Sequence, residues 1–285
     1  MRLVPMKTLM SKAVEGGYAV PAFNVCNMEM IRCVLNTAAE LRSPVILGIH
    51  PLEIAYFGSA QVAVAIASSA GADLDLDVAI HLDHGDNDES VLQAIRGGFS
   101  SVMIDGSALP IDENVALTRR IVEIADKVGV TVEGEIGTIG MTTEFGDKIE
   151  NAHLSDPEWA ERLAATGIDC LAVAIGNAHG FYDATPELRF DLVEEIRRRI
   201  RIPMVLHGGT GIPRDQIQHA ISLGVAKLNV GTALRYAFVS AMKERCDSDP
   251  VKDLALMTLG RAGMESGARV IREYIDICMS AGRLH

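Results

Sequence analysis

The chain contains no run of about 18 apolar residues, the length a helix needs to cross a bilayer, so no membrane partner is expected. It has no excess of basic charge: 26 Lys+Arg stand against 38 Asp+Glu, a formal net charge of −12. A nucleic-acid partner, which selects for a basic stripe, is therefore not expected. Its opening segment (1–17) lacks the unbroken apolar core of a signal peptide. Its five cysteines are odd in number, and no pair is spaced CxxC. That pattern reads as free thiols in a reducing cytoplasm rather than a disulfide framework. No Ser/Gly/Pro-rich linker divides the chain, no internal repeat is visible, and no GxGxxG follows a strand. The chain does have 48% hydrophobic and 22% charged residues, enough to build a core. The acidity leaves room for a small phosphorylated substrate, because a pocket's local field can oppose the global charge.

Within its 285 residues, β-rich runs alternate with helical patterns. Strands are expected at Tyr18–Val25, Pro44–His50, Val78–His84, Ser101–Gly106, Thr131–Gly137, Cys170–Asn177, Ile202–Gly209 and Ala226–Thr232. Several are continuous apolar runs, as parallel strands covered on both sides require. Helices are expected over Met28–Leu41 and Ile111–Val128, after Asp156-Pro157, from Pro213, from about Ala233, and from about Val251 to Met279. Eight β/α units in series predict a single α/β domain over 1–285, a (β/α)8 TIM barrel with extra C-terminal helices. A doubly wound sheet is the alternative, without a dinucleotide fingerprint to support it.

Barrel enzymes carry their chemistry where strands end. The expected strand ends hold Asp83 and His84, Glu135, His179, His207 and Asn229. Three imidazoles with one open position suit a catalytic zinc ion, with His84, His179 and His207 as ligands. Asp83 is either a partner of a ligand or a general acid/base. Neighbours on a regular strand face opposite ways, so Asp83 and His84 share the mouth only if the strand ends or bulges there. His81 lies one pleat deeper and reads as a core hydrogen-bonding residue. Gly208-Gly209-Thr210-Gly211 and Gly231-Thr232 follow the seventh and eighth strands, the usual phosphate position in such barrels.

HLDHG (81–85), GNAHGFY (176–182), LHGGTGIP (206–213) and KLNVGT (227–232) together resemble the class II, metal-dependent ketose-bisphosphate aldolases. VPAFNVCNMEM (20–30) and SVMIDGSALPIDENVALT (101–118) are similar too, so the resemblance covers nearly the whole chain. It implies reversible cleavage of fructose- or tagatose-1,6-bisphosphate to dihydroxyacetone phosphate and glyceraldehyde 3-phosphate. It implies Zn2+ on His84, His179 and His207, with Co2+ as a substitute and a monovalent cation as a further candidate. Asp83 would exchange a proton with the C4 hydroxyl, Asn229 would contact the enediolate or its precursor, and Glu135 would lie near the metal. Gly180, Gly208, Gly209, Thr210, Gly231 and Thr232 would cradle a phosphate. A homodimer or homotetramer is implied as well.

Three features depart from the family pattern. The loop after Glu135 reads Ile139–Phe145, with Glu144 as the candidate for moving protons at the other carbon. No lysine lies near Tyr182, where relatives often use one for phosphate. The second strand ends at Gly48-Ile49-His50-Pro51, with His50 either facing substrate or serving the loop. These departures leave the metal machinery intact and bear on the substrate. The alternatives are a zinc lyase or epimerase for another phosphorylated ketose or sugar acid, and a non-catalytic sugar-phosphate-binding protein. Arg261 is one candidate for the second phosphate.

Overall fold

The computed structural model describes residues 1–141, 153–182, 184–250 and 255–284. Among them, eight parallel strands close into a barrel: β2 (Val20–Asn24), β3 (Val45–Ile49), β4 (Asp77–Gly85), β5 (Ser101–Ile104), β6 (Thr131–Ile136), β8 (Cys170–Val173), β10 (Met204–Leu206) and β11 (Val225–Val230). The ring runs β4-β3-β2-β11-β10-β8-β6-β5 and shuts through the β4–β5 pairing. A short strand β1 (Arg2–Leu3) adds to the start of β4, and β7 (Gly140–Met141) pairs with β9 (Ala178–His179) above the barrel.

Alternation along each strand divides the apolar residues between two cores. In β4, Val78, Ile80 and Leu82 pack outward beneath the helices, while Ala79 packs inward. Helix α1 (Met6–Gly16) plugs the N-terminal end of the barrel with Met6, Leu9, Met10 and Ala13, all buried. That end is closed largely by apolar side chains, with Ser101 and Thr131 bonded to α1 there. The outer ring includes α2 (Met28–Glu40), α3 (Pro51–Phe57), α4 (Ala60–Ala70), α5 (Asp88–Gly97), α6 (Ile111–Ala125), α7 (Pro157–Ala164), α8 (Phe190–Arg199) and α9 (Arg214–Ser222). Two further helices, α10 (Thr232–Ser248) and α11 (Leu256–Ile277), pack together at the C-terminal end. Asp156 caps α7 through the N–H groups of Glu158 and Trp159. No single helix among the described residues is long and apolar enough to cross a membrane.

Two strands are shorter than the apolar runs suggest. β8 stops at Val173, because Gly176 takes φ +102° and Asn177 Oδ1 accepts the Ile175 N–H, turning the chain. β10 ends at Leu206, before Gly208 at φ +65°.

Candidate active site

The β4–β5 pairing runs regularly through His81↔Ser101 and Leu82↔Val102, then slips so that Gly85 faces Ile104. One extra residue is accommodated there, and His84 takes φ +52°. A bulge of this kind re-aims side chains. It turns both Asp83 and His84 to the barrel mouth, which a regular strand forbids. Gly85 is required beneath it, since a Cβ there would lie 2.5 Å from the Met103 carbonyl oxygen.

His84 meets His207, directly after β10, and His179 from β9, and the three ring centroids lie 4.8 to 5.7 Å apart. His179 was expected at the end of the sixth strand; it stands beyond it, on the two-residue strand paired with β7. The accepting nitrogens of the three rings lie within 4.8 Å of one another. His84 Nδ1 is 2.8 Å from Asp105 Oδ2, and His207 Nε2 is 2.9 Å from Glu133 Oε1. Each ring thereby gives one nitrogen to a carboxylate and turns the other inward. His84 Nε2 and His207 Nδ1 are 3.1 Å apart. Tetrahedral coordination at Zn–N distances near 2.0–2.1 Å would hold them about 3.4 Å apart. The His84–His207 pair is thus spaced for a shared divalent ion, with a His179 nitrogen within 4.8 Å of both.

Charge is concentrated around this point. Burial pushes the Asp83 carboxyl up, but His84, His207 and Lys227 outweigh it and hold the group well below the usual range. Burial alone would lower His84, yet Asp83 and the Asp105 hydrogen bond raise it to about 10. His179 is lowered to about 3 by burial and by its two imidazole neighbours. Asp83 accepts from Asn24 Nδ2 at 2.7 Å and from Asn229 Nδ2 at 3.0 Å, so both its oxygens are fixed. Glu135 Oε2 and Asn229 Oδ1 are buried with no hydrogen-bond partner among the described residues. Groups in that condition ask for a ligand or ion.

These side chains line a cavity of about 370 Å³. Gly180, Gly208, Thr210, Gly231 and Thr232 line it as well. Gly208 sits at φ +65°, where a Cβ would lie 2.0 Å from the Ala178 carbonyl oxygen. Tyr182 Oη clamps the same loops, accepting from Ala178 N–H at 2.8 Å and donating to the Gly208 carbonyl at 3.0 Å. Thr232 opens α10, whose first N–H groups have no helical carbonyl to bind; that of Ala233 donates to Thr210 Oγ1 at 3.1 Å.

The family model for class II fructose-bisphosphate aldolase matches residues 4–283. The chain belongs to this family. It is 41% identical over its full length to the D-tagatose-1,6-bisphosphate aldolase subunit GatY of Klebsiella oxytoca, and it covers all of that protein. It is 45% identical over 254 residues, 88% of each chain, to a fructose-bisphosphate aldolase of Geobacillus stearothermophilus. Among solved structures, the YdjI aldolase of Escherichia coli K12 superposes with a TM-score of 0.86 over 100% of both chains, at 33% identity.

In this class II family member, Gly209 departs from its expected use. Its N–H donates to the Asn229 carbonyl at 2.9 Å, so it cannot also donate to a phosphate, and it does not line the cavity. Glu144 lies outside the described residues. Arg261 is exposed on α11 and does not line the cavity, whereas Arg235, one turn into α10, does. His50 lines it too. It also caps α3: its Nδ1 accepts the Leu52 N–H, while its own N–H donates to Glu53. Glu53, buried beside it, is pushed up to about 8 by burial. Asn24, Asp105, Glu53 and Arg235 were not singled out from the sequence. Asn24 and Asp105 follow the strand-end rule that found the others; Arg235, inside a helix, has no such signal. His81 is a core residue, as expected, bonded to Ser101 Oγ at 2.7 Å. Lys227 is wholly buried below the site and does not line the cavity, so it cannot form a Schiff base with a substrate there.

Proposed function

We propose that this chain is a zinc-dependent aldolase that reversibly cleaves a ketose 1,6-bisphosphate, fructose- or tagatose-1,6-bisphosphate, to dihydroxyacetone phosphate and glyceraldehyde 3-phosphate. The observation that carries this reading is the convergence of three imidazoles and Asp83 on one cavity bounded by two glycine loops. His84, His179 and His207 would hold the metal. When bound, the ion supplies Lewis acidity at the C2 ketone. Asp83, ionised and oriented by Asn24 and Asn229, takes the proton of the C4 hydroxyl. The C3–C4 bond breaks, C4 becomes the aldehyde carbon, and the electron pair stays on the three-carbon half. Glu144 is the candidate that returns a proton to C3. Gly180, Gly208, Thr210, Gly231 and Thr232 hold the phosphate of that half. Arg235 is the only Lys or Arg lining the cavity among the described residues and takes the phosphate of the aldehyde half. Five free thiols and an acidic surface suit cytoplasmic carbohydrate metabolism, as a homodimer or homotetramer.

A second reading is an aldolase, lyase or epimerase acting on a different phosphorylated ketose or sugar acid. The wall formed by His50 and Glu53 favours it, since these groups would meet the aldehyde half. A panel of ketose mono- and bisphosphates, coupled to detection of dihydroxyacetone phosphate, separates the two. Fastest turnover on fructose or tagatose 1,6-bisphosphate supports the first. Negligible turnover on both, with release from another ketose phosphate, supports the second.

A further inference from the structure

Directly below the three imidazoles lies a set of buried polar groups that the proposed reaction does not use. Lys227 Nζ is 2.7 Å from Glu133 Oε2 and 3.3 Å from His81 Nε2. Glu133 Oε1 is 2.9 Å from His207 Nε2. His207, Glu133, Lys227 and His81 all have no exposed surface. Buried ion pairs are rarely retained for stability alone, because apolar residues of similar volume serve as well.

The chain of donors and acceptors has a direction. Lysine's ammonium has three donors and no acceptor. Glu133 Oε2 must therefore accept from it, and Glu133 is bound to act as an acceptor. Its other oxygen, in the same role, requires a hydrogen on His207 Nε2. A neutral imidazole protonated at Nε2 presents a lone pair at Nδ1, the nitrogen that faces His84 Nε2. His81 is consistent with the arrangement: Lys227 can only donate to its Nε2, and Ser101 Oγ can accept the hydrogen on its Nδ1.

We infer that Glu133 and Lys227 are positioning residues that fix the tautomer of His207, so that Nδ1 points into the mouth as a ready metal ligand. The inference rests on the proposal that His207 is a ligand, but its first test does not depend on any activity. In the metal-free protein, long-range proton–nitrogen correlation of the imidazoles should find His207 protonated at Nε2. In Glu133→Gln, whose amide group can donate to the ring, the proton should move to Nδ1 in a measurable fraction of molecules. Competition with a chromophoric chelator should then show Zn2+ bound about 10- to 100-fold more weakly by folded Glu133→Gln and Lys227→Met, the usual cost of losing a partner behind a ligand. The visible spectrum of the Co2+-loaded variants should change in shape, which a purely structural loss would not cause. His207 protonated at Nδ1 in the metal-free parent overturns the inference without any variant. Zn2+ affinity within twofold of the parent in folded Glu133→Gln overturns it as well, even if Lys227→Met fails to fold. An absence of aldolase turnover in the parent, with these binding results intact, counts against the proposed reaction and leaves this assignment standing.

Discussion

At the mouth of the barrel, Glu135 Oε2 and Asn229 Oδ1 are buried with no hydrogen-bond partner among the described residues, and Asp83 and His84 stand on a bulge where His84 takes φ +52°. One layer below, His81, Glu133 and Lys227 have no exposed surface, and their polar atoms are bonded. The two layers share residue types but differ in saturation. Unmet hydrogen-bonding capacity and local backbone strain mark the layer that meets a ligand. Saturation marks the layer that supports it.

The sharpest break between the layers is made at the mouth. His84→Ala removes a ligand and should lower turnover about 10³-fold or more, with the metal content of the purified protein falling alongside. Asp83→Ala should lower kcat by about 10² to 10⁴ while metal analysis stays at the parent's level, since it removes a proton-transfer group. Loss of metal in that variant would move Asp83 into the supporting set. Gly208→Ala forces a Cβ against the Ala178 carbonyl and so shifts the loop that carries His179. A drop of about a hundredfold in kcat/KM is expected from steady-state kinetics, the scale of a misplacement near 1 Å. Arg235→Ala should raise KM for a bisphosphate about 10- to 100-fold with a smaller change in kcat, the worth of a charge-assisted hydrogen bond.

The smallest effect is on stability. Glu53 keeps its proton in the folded metal-free protein up to about pH 8, whereas its ordinary value is 4.5. The unfolded chain therefore releases that proton first, and stability falls as pH rises from 4.5 to about 8. Glu53→Gln removes this dependence. Its thermal midpoint should exceed the parent's by a few degrees at pH 9 and match it at pH 4, measured by circular dichroism.

Much of the mouth was legible in the sequence because strand ends are. Continuous apolar runs located the eight strands, and a polar residue closing such a run is conspicuous. His84, His207, Asp83 and Asn229 were found that way, and Asn24 and Asp105 could have been. The bulge was legible only as a condition, since both neighbours had to face one way. Of the supporting layer only His81 was legible: Glu133 and Lys227 lie inside strands, and nothing in their spacing tells that they meet across the barrel. Arg235 was hidden for another reason. It lies one turn inside α10, where no strand end marks it, and only the fold shows that it lines the cavity.

The central claim is that the three imidazoles hold the metal on which cleavage depends. Its most direct test is to strip the protein with a chelator and add Zn2+ back in measured amounts while following release of dihydroxyacetone phosphate from fructose and tagatose 1,6-bisphosphate. Activity should vanish on stripping, return in proportion to Zn2+ and saturate at one ion per chain, and His207→Ala should stay inactive throughout. Cleavage that survives both the chelator and His207→Ala would contradict the claim.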